Sequence, residues 1–505
     1  MKPVLTPAEA GELDRTAQAD GVAAIDLMER AGRAVARSCV DLSGGAYGRR
    51  AVVVCGKGNN GGDGYVAARH LARWVFRVAV VTLGEPGDLG EPAATNLGRL
   101  AEVGVRTTSF VRDGLDRELA RSDVAVDAIF GTGFRGRAAG DWASAIDALN
   151  ATLAPVVAVD IPSGVDGASA AVEGVAVQAD LTVAFGAAKT GEVLMPGAGY
   201  AGDLRVVDIG FPDDLVPDAT GLTEPADVVG IWPERAEDAH KKASGTLVIV
   251  AGSRRMTGAA KLIARAAVRI GAGYVFLAVP EPILPVIQTE LTETVFVPLP
   301  ATDDGTIAPD ALDPVMRILE GADAMAIGPG LSTQRDTQGF VRSLVRESPV
   351  RFVLDADGLN AFAGQADAIA DRKAEAILTP HLGELARLID ADPDRLAAAR
   401  SLAARTDAVG LVKGGRSVIA RPDGTARINP TGSAVLATAG TGDVLTGTIG
   451  GLLARGLEPF TAAWAGAYVH GIAGIVAGRT LGDGTAAGDV AESLPAAVDL
   501  IGSQA

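Results

Sequence analysis

The chain has 505 residues, with 45 Lys and Arg against 62 Asp and Glu, which gives a formal net charge of −17 at pH 7. This length exceeds what one hydrophobic core usually serves, so the sequence predicts at least two domains. The acidic balance excludes the broad basic surface that nucleic acid or an anionic membrane requires, so a polyanionic ligand must be bound locally, by backbone N–H groups, helix N-termini or bound cations.

Strands and helices alternate along the first part of the chain. Thr6, Pro7 and Glu9 predict the capped start of a helix. Strands are predicted at 51–55, 77–83, 123–130 and 156–161, and further helices at 24–39, 65–76, 91–103 and 143–153. This alternation is typical of a mostly parallel, doubly wound sheet with helices on both faces.

The alternation stops between Phe211 and Gly245, a stretch with four prolines and many acidic residues that predicts a linker. It restarts with predicted strands at 246–252, 274–278, 323–328, 352–355, 376–379 and 409–413, a helix at 258–270, and a long helical region at 443–478. We therefore predict two three-layer α/β domains, at residues 1–215 and 225–505.

Cysteine usage and hydropathy point to a cytoplasmic protein. Cys39 and Cys55 cannot form a disulfide framework, and Cys55 lies in an apolar run that predicts a buried thiol. The N-terminus lacks the apolar segment of a signal peptide. The apolar stretch 462–477 is too short and too rich in Ala and Gly for a membrane span, so we predict a buried helix there.

Three glycine loops follow predicted strands in the first domain. The loop GKGNNGGDG at 56–64 contains a G-x-G-x-x-G match and opens a helix, which favours a cradle for dinucleotide phosphates over a purely structural turn. The loops FGTGFRG at 130–136 and DIPSGVDG at 160–167 are the other two. Open α/β sheets bind ligands at the carboxyl ends of their strands, so we expect the three loops to lie close together. For Asp127 and Asp160, capping or loop bracing is the alternative role.

The second domain carries the motif ATAGTGDVLTG at 437–447. Consecutive N–H groups of Gly440, Thr441 and Gly442 would form an anion hole at a helix N-terminus, with Asp443 as the base for a hydroxyl. The alternative is that Asp443 only caps the helix.

Together the motifs NNGGDG, GTGFRG and DIPSGVDG resemble the NAD(P)H-hydrate epimerases over about residues 1–215. The resemblance implies a Rossmann-like domain in which Asp160 is catalytic and faces the nicotinamide, with a potassium ion on Asn60, Asp127 and Ser163. It implies that the substrate's phosphates lie on Asn59, Asn60, Gly61, Gly62, Asp63, Gly131, Thr132, Gly133, Phe134, Arg135, Gly136 and Arg137.

The GTGD element resembles the ribokinase-like superfamily, and GPGL at 328–331, DADGLN at 355–360, TPHLGE at 379–384 and KGGRS at 413–417 narrow the resemblance to the ADP-dependent NAD(P)H-hydrate dehydratases. The match spans about residues 225–505, although the segment 431–436 departs from the family pattern. It implies substrate contacts at Ala260, Gly330, Pro380, His381, Gly383, Glu384 and Asp443, and ADP contacts at Lys413, Gly414, Gly415, Arg416, Ser417, Gly440, Thr441 and Gly442. Asp443 would be the catalytic base, ADP the co-substrate, and Mg²⁺ would offset the phosphate charge.

The two resemblances imply a bifunctional isomerase and lyase. It would interconvert the R and S hydrates of NADH and NADPH and dehydrate the S form to NAD(P)H, AMP and phosphate. A small-molecule kinase for a hydroxymethylpyrimidine or thiazole alcohol, fused to a nucleotide-binding domain, is the alternative. A non-catalytic dinucleotide-binding module would leave Asp443 unexplained. We expect small-molecule substrates, no nucleic acid or membrane partner, and a homo-oligomer.

The histidines and one basic cluster complete the candidate residues. His381 is predicted to contact substrate, whereas His70 and His470 are predicted to pack inside helices. The cluster His240, Lys241 and Lys242 is either solvated surface or a nucleotide contact.

Overall fold

The computed structural model of the protein describes residues 1–212, 216–217, 219–233 and 244–504. The predicted linker at 211–245 lies partly outside these ranges, and His240, Lys241 and Lys242 lie entirely outside them. Contacts divide the chain into an N-terminal unit, Lys2–Thr220, and a C-terminal unit that combines Met1 with Gly221–Ala505.

The N-terminal unit alternates strands and helices as the sequence predicts. Its strands are β1 (Lys2–Leu5), β2 (Arg50–Cys55), β3 (Arg77–Thr82), β4 (Thr107–Ser109), β5 (Val124–Ala128), β6 (Val156–Val159), β7 (Leu181–Phe185), β8 (Ala188–Lys189) and β9 (Asp203–Val207). Its helices are α1 (Pro7–Ala19), α2 (Ala24–Leu42), α3 (Asn59–Arg73), α4 (Ala93–Gly98), α5 (Arg112–Leu119), α6 (Asp141–Asn150) and α7 (Thr190–Val193).

Its main sheet is parallel throughout, in the order β4-β3-β2-β5-β6-β7-β9. Within this sheet the first strand is β2, in the middle. The chain then adds β3 and β4 towards one edge and returns to build the other edge from β5 to β9. This confirms the doubly wound prediction. It also places the topological switch between β2 and β5, where open α/β sheets form a ligand crevice at their carboxyl ends.

The sheet is covered on both faces, so the unit has three layers. One hydrophobic cluster joins α2 and α3 residues such as Val35 and Leu71 to Val53 of β2, and the other joins α5 and α6 residues such as Leu115 and Ile146 to Val52. Successive residues of β2 therefore face opposite cores, which explains why its sequence is continuously apolar. Cys39 and Cys55 are both fully buried free thiols, as predicted for Cys55.

The C-terminal unit is a second α/β unit. Its strands are β10 (Thr220–Leu222, which begins at the boundary), β11 (Thr246–Val250), β12 (Tyr274–Pro280), β13 (Val295–Leu299), β14 (Ala324–Ile327), β15 (Phe352–Leu354), β16 (Ala376–Leu378), β17 (Val409–Val412), β18 (Val418–Ala420) and β19 (Ala426–Ile428). Its helices are α8 (Pro225–Ile231), α9 (Thr257–Arg269), α10 (Leu284–Ile287), α11 (Leu312–Leu319), α12 (Arg335–Glu347), α13 (Asp357–Asn360), α14 (Leu382–Leu388), α15 (Arg395–Thr406), α16 (Thr441–Ala454), α17 (Pro459–Leu481) and α18 (Ala487–Gln504).

Strands β13-β12-β11-β14-β15-β16-β17 are parallel in that order, and β18 and β19 continue the sheet as antiparallel strands. Val409 and Leu411 of β17 belong to the core that α9, α16, α17 and α18 form on one face. Gly410 points to the opposite face, where Ala399 and Leu402 of α15 lie against it. This unit is therefore also three-layered.

Several predicted elements differ at their boundaries. Helix α3 begins at Asn59 rather than at residue 65, so the NNGG sequence forms its first turn instead of a loop. The helix predicted at 91–103 is limited to α4 and a separate 3₁₀ turn, and the helical region 443–478 is two helices because Pro459 starts α17. The unpredicted strands are β1, β4, β7, β8, β9, β10, β13, β18 and β19. Five of them, β4, β8, β10, β18 and β19, have only two or three residues and so give little periodic signal.

Helix α17 is the longest apolar helix of the described chain. By length and composition alone, the segment Pro459–Gly484 could cross a membrane. However, 83% of its most apolar 18-residue stretch is buried inside the structure. This confirms the predicted buried helix.

We predict that close packing between α9 and α16 is essential to the C-terminal unit. A Cβ at Gly447 of α16 would overlap the carbonyl oxygen of Ile263, whereas a Cβ at Gly339 of α12 would meet no atom within 4 Å. Gly447→Ala should therefore destabilise the unit by about 1–3 kcal/mol. The matched variant Gly339→Ala should stabilise it by about 0.5–1 kcal/mol, because Ala costs less backbone entropy in a helix. Denaturant unfolding measures both, and equal stability of the two variants would contradict the packing argument.

Candidate active sites

A cavity of about 640 Å³ opens at the carboxyl ends of the N-terminal strands. It is lined by the start of α3, by the loop after β5 and by the residue after β6, so the three glycine loops converge as predicted. The predicted residues that line it are Asn59, Asn60, Asp63, Gly131, Thr132, Gly133, Phe134, Arg135 and Asp160.

Four residues predicted to bind phosphate do not line this cavity. A Cβ at Gly61 would overlap the Gly56 carbonyl oxygen, and one at Gly62 would press on the Met28 side chain, so these glycines allow α3 to pack closely. Gly136 takes a left-handed turn with φ +75°. Arg137 is exposed and lies over the backbone of Gly174, where a Cβ would come within 2.7 Å of its side chain.

An oxygen-rich network lies beneath the cavity. Ser163 donates from its hydroxyl to Asp127 Oδ1 over 2.6 Å and from its backbone N–H to Asp127 Oδ2 over 2.8 Å. Burial raises the pKa of Asp127 to about 6, although the hydrogen bonds from Ser163 and Ile129 oppose it. The Asn60 side chain donates to the Val159 carbonyl over 2.6 Å, while its Oδ1 is buried without a hydrogen-bond partner.

Asp160 is held in an unusual conformation beside a lysine. Its φ of +66° is left-handed, which is uncommon for a residue other than glycine and is typical of functional sites. Lys189 Nζ lies 2.5 Å from Asp160 Oδ1 and also donates to the Phe185 carbonyl over 3.0 Å. The Lys189 side chain is only 3% exposed. Sequence analysis missed Lys189, and the available signal was a lone lysine directly after an apolar strand.

Two further carboxyl groups face this ion pair. Burial and the negative charge of Asp160 raise the pKa of Asp63 well above its usual range, with a further contribution from Asp14. Asp14 of α1 lines the same cavity, and burial and Asp160 raise its pKa too. These shifts favour the protonated form of Asp63, which can donate a hydrogen bond to a ligand. Asp14 carried no sequence motif and was not predicted.

The second candidate site lies where β15, β16 and β17 end beside the start of α16. Lys413 Nζ lies 2.7 Å from Asp355 Oδ1 and 3.9 Å from Glu384 Oε2. Thr446 of α16 donates from its hydroxyl to Asp355 Oδ2 over 2.7 Å. The backbone N–H of Lys413 donates to the Pro380 carbonyl over 2.9 Å, which joins the KGGRS and TPHLGE motifs.

The start of α16 differs in detail from the predicted anion hole. Gly440 is the N-cap with φ +90°, and no side chain caps this helix. Asp443 is the third helical residue, so the capping alternative is wrong. The N–H of Thr441 donates to the Thr438 carbonyl over 3.3 Å, which removes it from the predicted hole. The N–H groups of Gly442 and Asp443 belong to the first turn and have no partner within the helix.

Asp443 has the pKa of a general base. Burial and the negative charge of Asp355 raise the pKa of Asp443, and the positive charge of Lys413 lowers it. Asp357 and Glu384 raise the pKa further, to about 7. A base with this pKa is partly ionised at neutral pH, where it can accept a proton efficiently.

The predicted substrate residues of this unit have different environments. His381 is the N-cap of α14, because its Nδ1 accepts from the N–H groups of Gly383 and Glu384 over 3.0 and 3.3 Å. Its side chain is nevertheless 53% exposed, so it can still contact a ligand. Gly330 is buried and has a φ of +70°. Ala260 is fully buried in the α9 core, so the structure does not bring it to an accessible surface.

An arginine of α15, Arg395, contacts the KGGRS loop and was not predicted from the sequence. Gly414 and Gly415 are exposed, and the Ser417 hydroxyl lies 3.5 Å from the Gly414 carbonyl. Arg416 donates to the Pro430 carbonyl over 2.9 Å, and Arg395 donates to the Arg416 carbonyl over 3.1 Å. The guanidinium of Arg395 lies so close to Gly414 that a Cβ there would be 2.7 Å from it.

Within the ranges that the structure describes, the other two histidines, His70 and His470, pack as predicted. His70 hydrogen-bonds Glu29 over 2.8 Å and lies against Trp74. His470 is buried in α17, and burial lowers its pKa to about 4.

Comparison with known proteins gives matches over both units. Residues 247–496 match the family described as NAD(P)H-hydrate dehydratase, and residues 24–191 match the family described as YjeF-related protein N-terminus. The bifunctional NAD(P)H-hydrate repair enzyme of Moorella thermoacetica is 42% identical over 97% of this chain and 96% of its own. The enzyme of the same description from Salinibacter ruber is 42% identical over 93% of this chain and 91% of its own.

A solved structure also matches part of the chain. The ADP/ATP-dependent NAD(P)H-hydrate dehydratase of Bacillus subtilis, co-crystallised with ATP and Mg²⁺, is 29% identical and covers 56% of this chain and 98% of its own, with a TM-score of 0.48.

We predict that Asp443 titrates near neutral pH. Carboxyl ¹³C NMR, with the signal assigned by its loss in Asp443→Asn, should give a midpoint of about 7. Lys413→Met should move that midpoint upward, because it removes the cation that favours the ionised form. A midpoint near the ordinary aspartate value of about 4 would contradict the electrostatic description of the site.

Proposed function

The chain belongs to the bifunctional NAD(P)H-hydrate repair enzymes, and we propose that its N-terminal cavity carries the epimerisation and its C-terminal cluster the ADP-dependent dehydration. The enzyme epimerises hydrated NADH and NADPH and dehydrates them back to the reduced dinucleotide. The observation that supports the division is that each unit has its own aspartate–lysine pair at the carboxyl ends of its strands, Asp160 with Lys189 and Asp355 with Lys413.

For epimerisation, we propose that Asp160 moves the proton at the hydrated carbon's hydroxyl group. The hydrate can epimerise by ring opening or by loss and re-addition of the hydroxyl. Either pathway needs a group that accepts a proton and later returns it, and a carboxylate can do this. Lys189 holds Asp160 in place over 2.5 Å and supplies the cation that balances it. The glycine loop 131–135 and Asn59 would contact the dinucleotide phosphates through their backbone N–H groups.

For dehydration, Asp443 takes the proton of the hydrate's hydroxyl, and that oxygen forms a bond to the β-phosphorus of ADP. The bond from the β-phosphorus to the bridging oxygen breaks and AMP leaves. The phosphorylated oxygen then departs from carbon as inorganic phosphate, pushed by the lone pair of the ring nitrogen. Loss of a proton from the neighbouring carbon restores the double bond of NAD(P)H. The N–H groups of Gly442 and Asp443 face the transferring phosphoryl group.

Mg²⁺ fits the C-terminal site. Four carboxyl groups lie close enough to interact electrostatically: Asp443 is affected by Asp355, Asp357 and Glu384. Lys413 is the cation that opposes their negative charge. A polyanionic nucleotide would meet excess negative charge there, and a hard divalent cation held between the nucleotide's phosphates and this carboxylate cluster would offset it. The cation supplies charge neutralisation to the phosphates when bound.

Potassium fits the N-terminal site. The unpartnered Oδ1 of Asn60, the buried Asp127 and the Ser163 hydroxyl form a set of oxygen ligands of the kind that hard cations take. We propose that these three residues hold K⁺ and that the ion fixes the ends of β5 and β6 around the cavity.

The two activities should separate by mutation. Asp443→Asn should lower dehydration by about 10²–10⁴-fold, the usual contribution of a general base, and leave epimerisation unchanged. Asp160→Asn should do the reverse. Dehydration is measured with ADP and pure S hydrate, from the absorbance of the reduced nicotinamide that forms. Epimerisation is measured without ADP, by chromatographic separation of the two hydrates. Loss of both activities in either variant would contradict the two-site assignment, and phosphorylation of an added alcohol without NADH formation would favour the kinase alternative.

Potassium should stabilise the N-terminal unit directly. At constant ionic strength, replacing Na⁺ by K⁺ should raise its thermal unfolding temperature, because an ion that binds only the folded state adds stability. Ser163→Ala should abolish this response, and the matched control Ser169→Ala, a loop residue outside the cluster, should keep it. Equal unfolding temperatures in the Na⁺ and K⁺ salts would contradict the proposal that potassium binds at this site.

A further inference from the structure

The reaction described so far gives Asp355 no contact with substrate or nucleotide, although it is among the most completely buried acidic residues of the C-terminal unit. It follows β15 directly and its side chain is 1% exposed. Both carboxylate oxygens are engaged, Oδ1 with Lys413 and Oδ2 with Thr446, each over 2.7 Å. A buried ion pair is expensive to desolvate and contributes little to stability on balance, so a functional role explains its presence better than stability does.

Lys413 is fixed at the start of α16 by this contact. A Cβ at Gly442 would be 3.4 Å from Lys413 Nζ and 4.0 Å from Asp355 Oδ2, so the ammonium lies against the first turn of the helix. Burial alone would lower the pKa of Lys413, but Asp355 and Glu384 outweigh it and the pKa is raised. Lys413 is therefore a permanent cation beside the N–H groups that face the phosphoryl group.

The geometry points to Asp355 as a positioning residue that holds the Lys413 ammonium where negative charge develops on the transferring phosphoryl group. The inference rests on the dehydration proposed above. Lysine has a flexible stem with several rotatable bonds, and its ammonium would otherwise rotate among solvent and the other carboxylates. Asp355 prevents this through Oδ1, while Thr446 fixes Oδ2 from α16 itself. One carboxylate thereby aligns the lysine after β17 with the helix that carries Asp443.

This arrangement predicts a specific kinetic effect. An interaction made only in the transition state lowers kcat and leaves KM unchanged, whereas loss of nucleotide binding raises KM. A preorganised charge-stabilising donor is worth about 10²–10³ in kcat. Lys413→Met should therefore lower dehydration by that factor. Asp355→Asn should lower kcat by about 10–100-fold, because the ammonium is still present but no longer held.

The deciding test is a double-mutant cycle in the full-length enzyme. If Asp355 acts through Lys413, the combined variant Asp355→Asn with Lys413→Met should lose no more kcat than Lys413→Met alone. Losses that multiply would overturn the inference, as would an Asp355→Asn enzyme with the wild-type kcat. Asp367→Asn, which breaks an exposed pair with Arg405 over 3.0 Å, is the matched control and should keep the wild-type kcat.

Folding and function are separable in this test. If Asp355→Asn does not fold, Asp355→Glu retains the charge but displaces it, and a kcat equal to the wild type would then overturn the inference. Epimerisation by the N-terminal unit confirms that each variant protein is intact in that half. If the wild-type enzyme itself fails to form NAD(P)H from the hydrate and ADP, the proposed function fails, whereas a normal wild type with a normal Asp355→Asn refutes only the role of Asp355.

Discussion

A buried aspartate–lysine pair at the carboxyl ends of parallel strands is the interaction on which both sites depend. In the N-terminal unit Asp160 follows β6 and meets Lys189 of β8, and in the C-terminal unit Asp355 follows β15 and meets Lys413 after β17. In the C-terminal unit the lysine is brought to the aspartate by the strand order β15-β16-β17, whereas Lys189 lies in the short strand β8, outside the main parallel sheet of the N-terminal unit. A chain with a net charge of −17 can bind polyanionic nucleotides because these few cations are fixed where the ligand's charge lies.

The same pairs divide the roles of neighbouring carboxyl groups. Asp355 is hydrogen-bonded through both oxygens, and burial together with the negative charge of Asp355 raises the pKa of Asp443 to about 7. Asp160 and burial similarly raise the pKa of Asp63. A carboxyl group whose pKa is raised in this way can act as a general base or as a neutral hydrogen-bond donor. Each unit therefore contains an aspartate–lysine pair beside a carboxyl group whose pKa is raised.

The sequence predicted the parts of each site that local motifs encode. The three glycine loops, the doubly wound order of strands and the position of Asp443 all follow from turn residues and apolar runs that are contiguous in the chain. Lys189, Asp14 and Arg395 were missed because each reaches its site only through folding over a long sequence separation. Thr446 was inside a predicted motif, but its contact with Asp355 spans 91 positions and leaves no local pattern. The capping role considered for Asp443 failed because the helix begins two residues earlier than its sequence indicates.

The abundance of glycine serves helix packing as much as phosphate contact. Gly61 lies against the carbonyl of Gly56, and Gly447 lies against that of Ile263, at positions where any side chain would overlap the backbone. These contacts bring α3 and α16 closer to their neighbours than larger residues would allow. Both helices carry candidate site residues close to their starts, Asn60 and Asp63 in α3 and Asp443 in α16. A displacement of about 1 Å at such a group can cost roughly 100-fold in rate. Close glycine packing thus fixes the helix starts, and the aspartate–lysine pairs then fix the charges beside them.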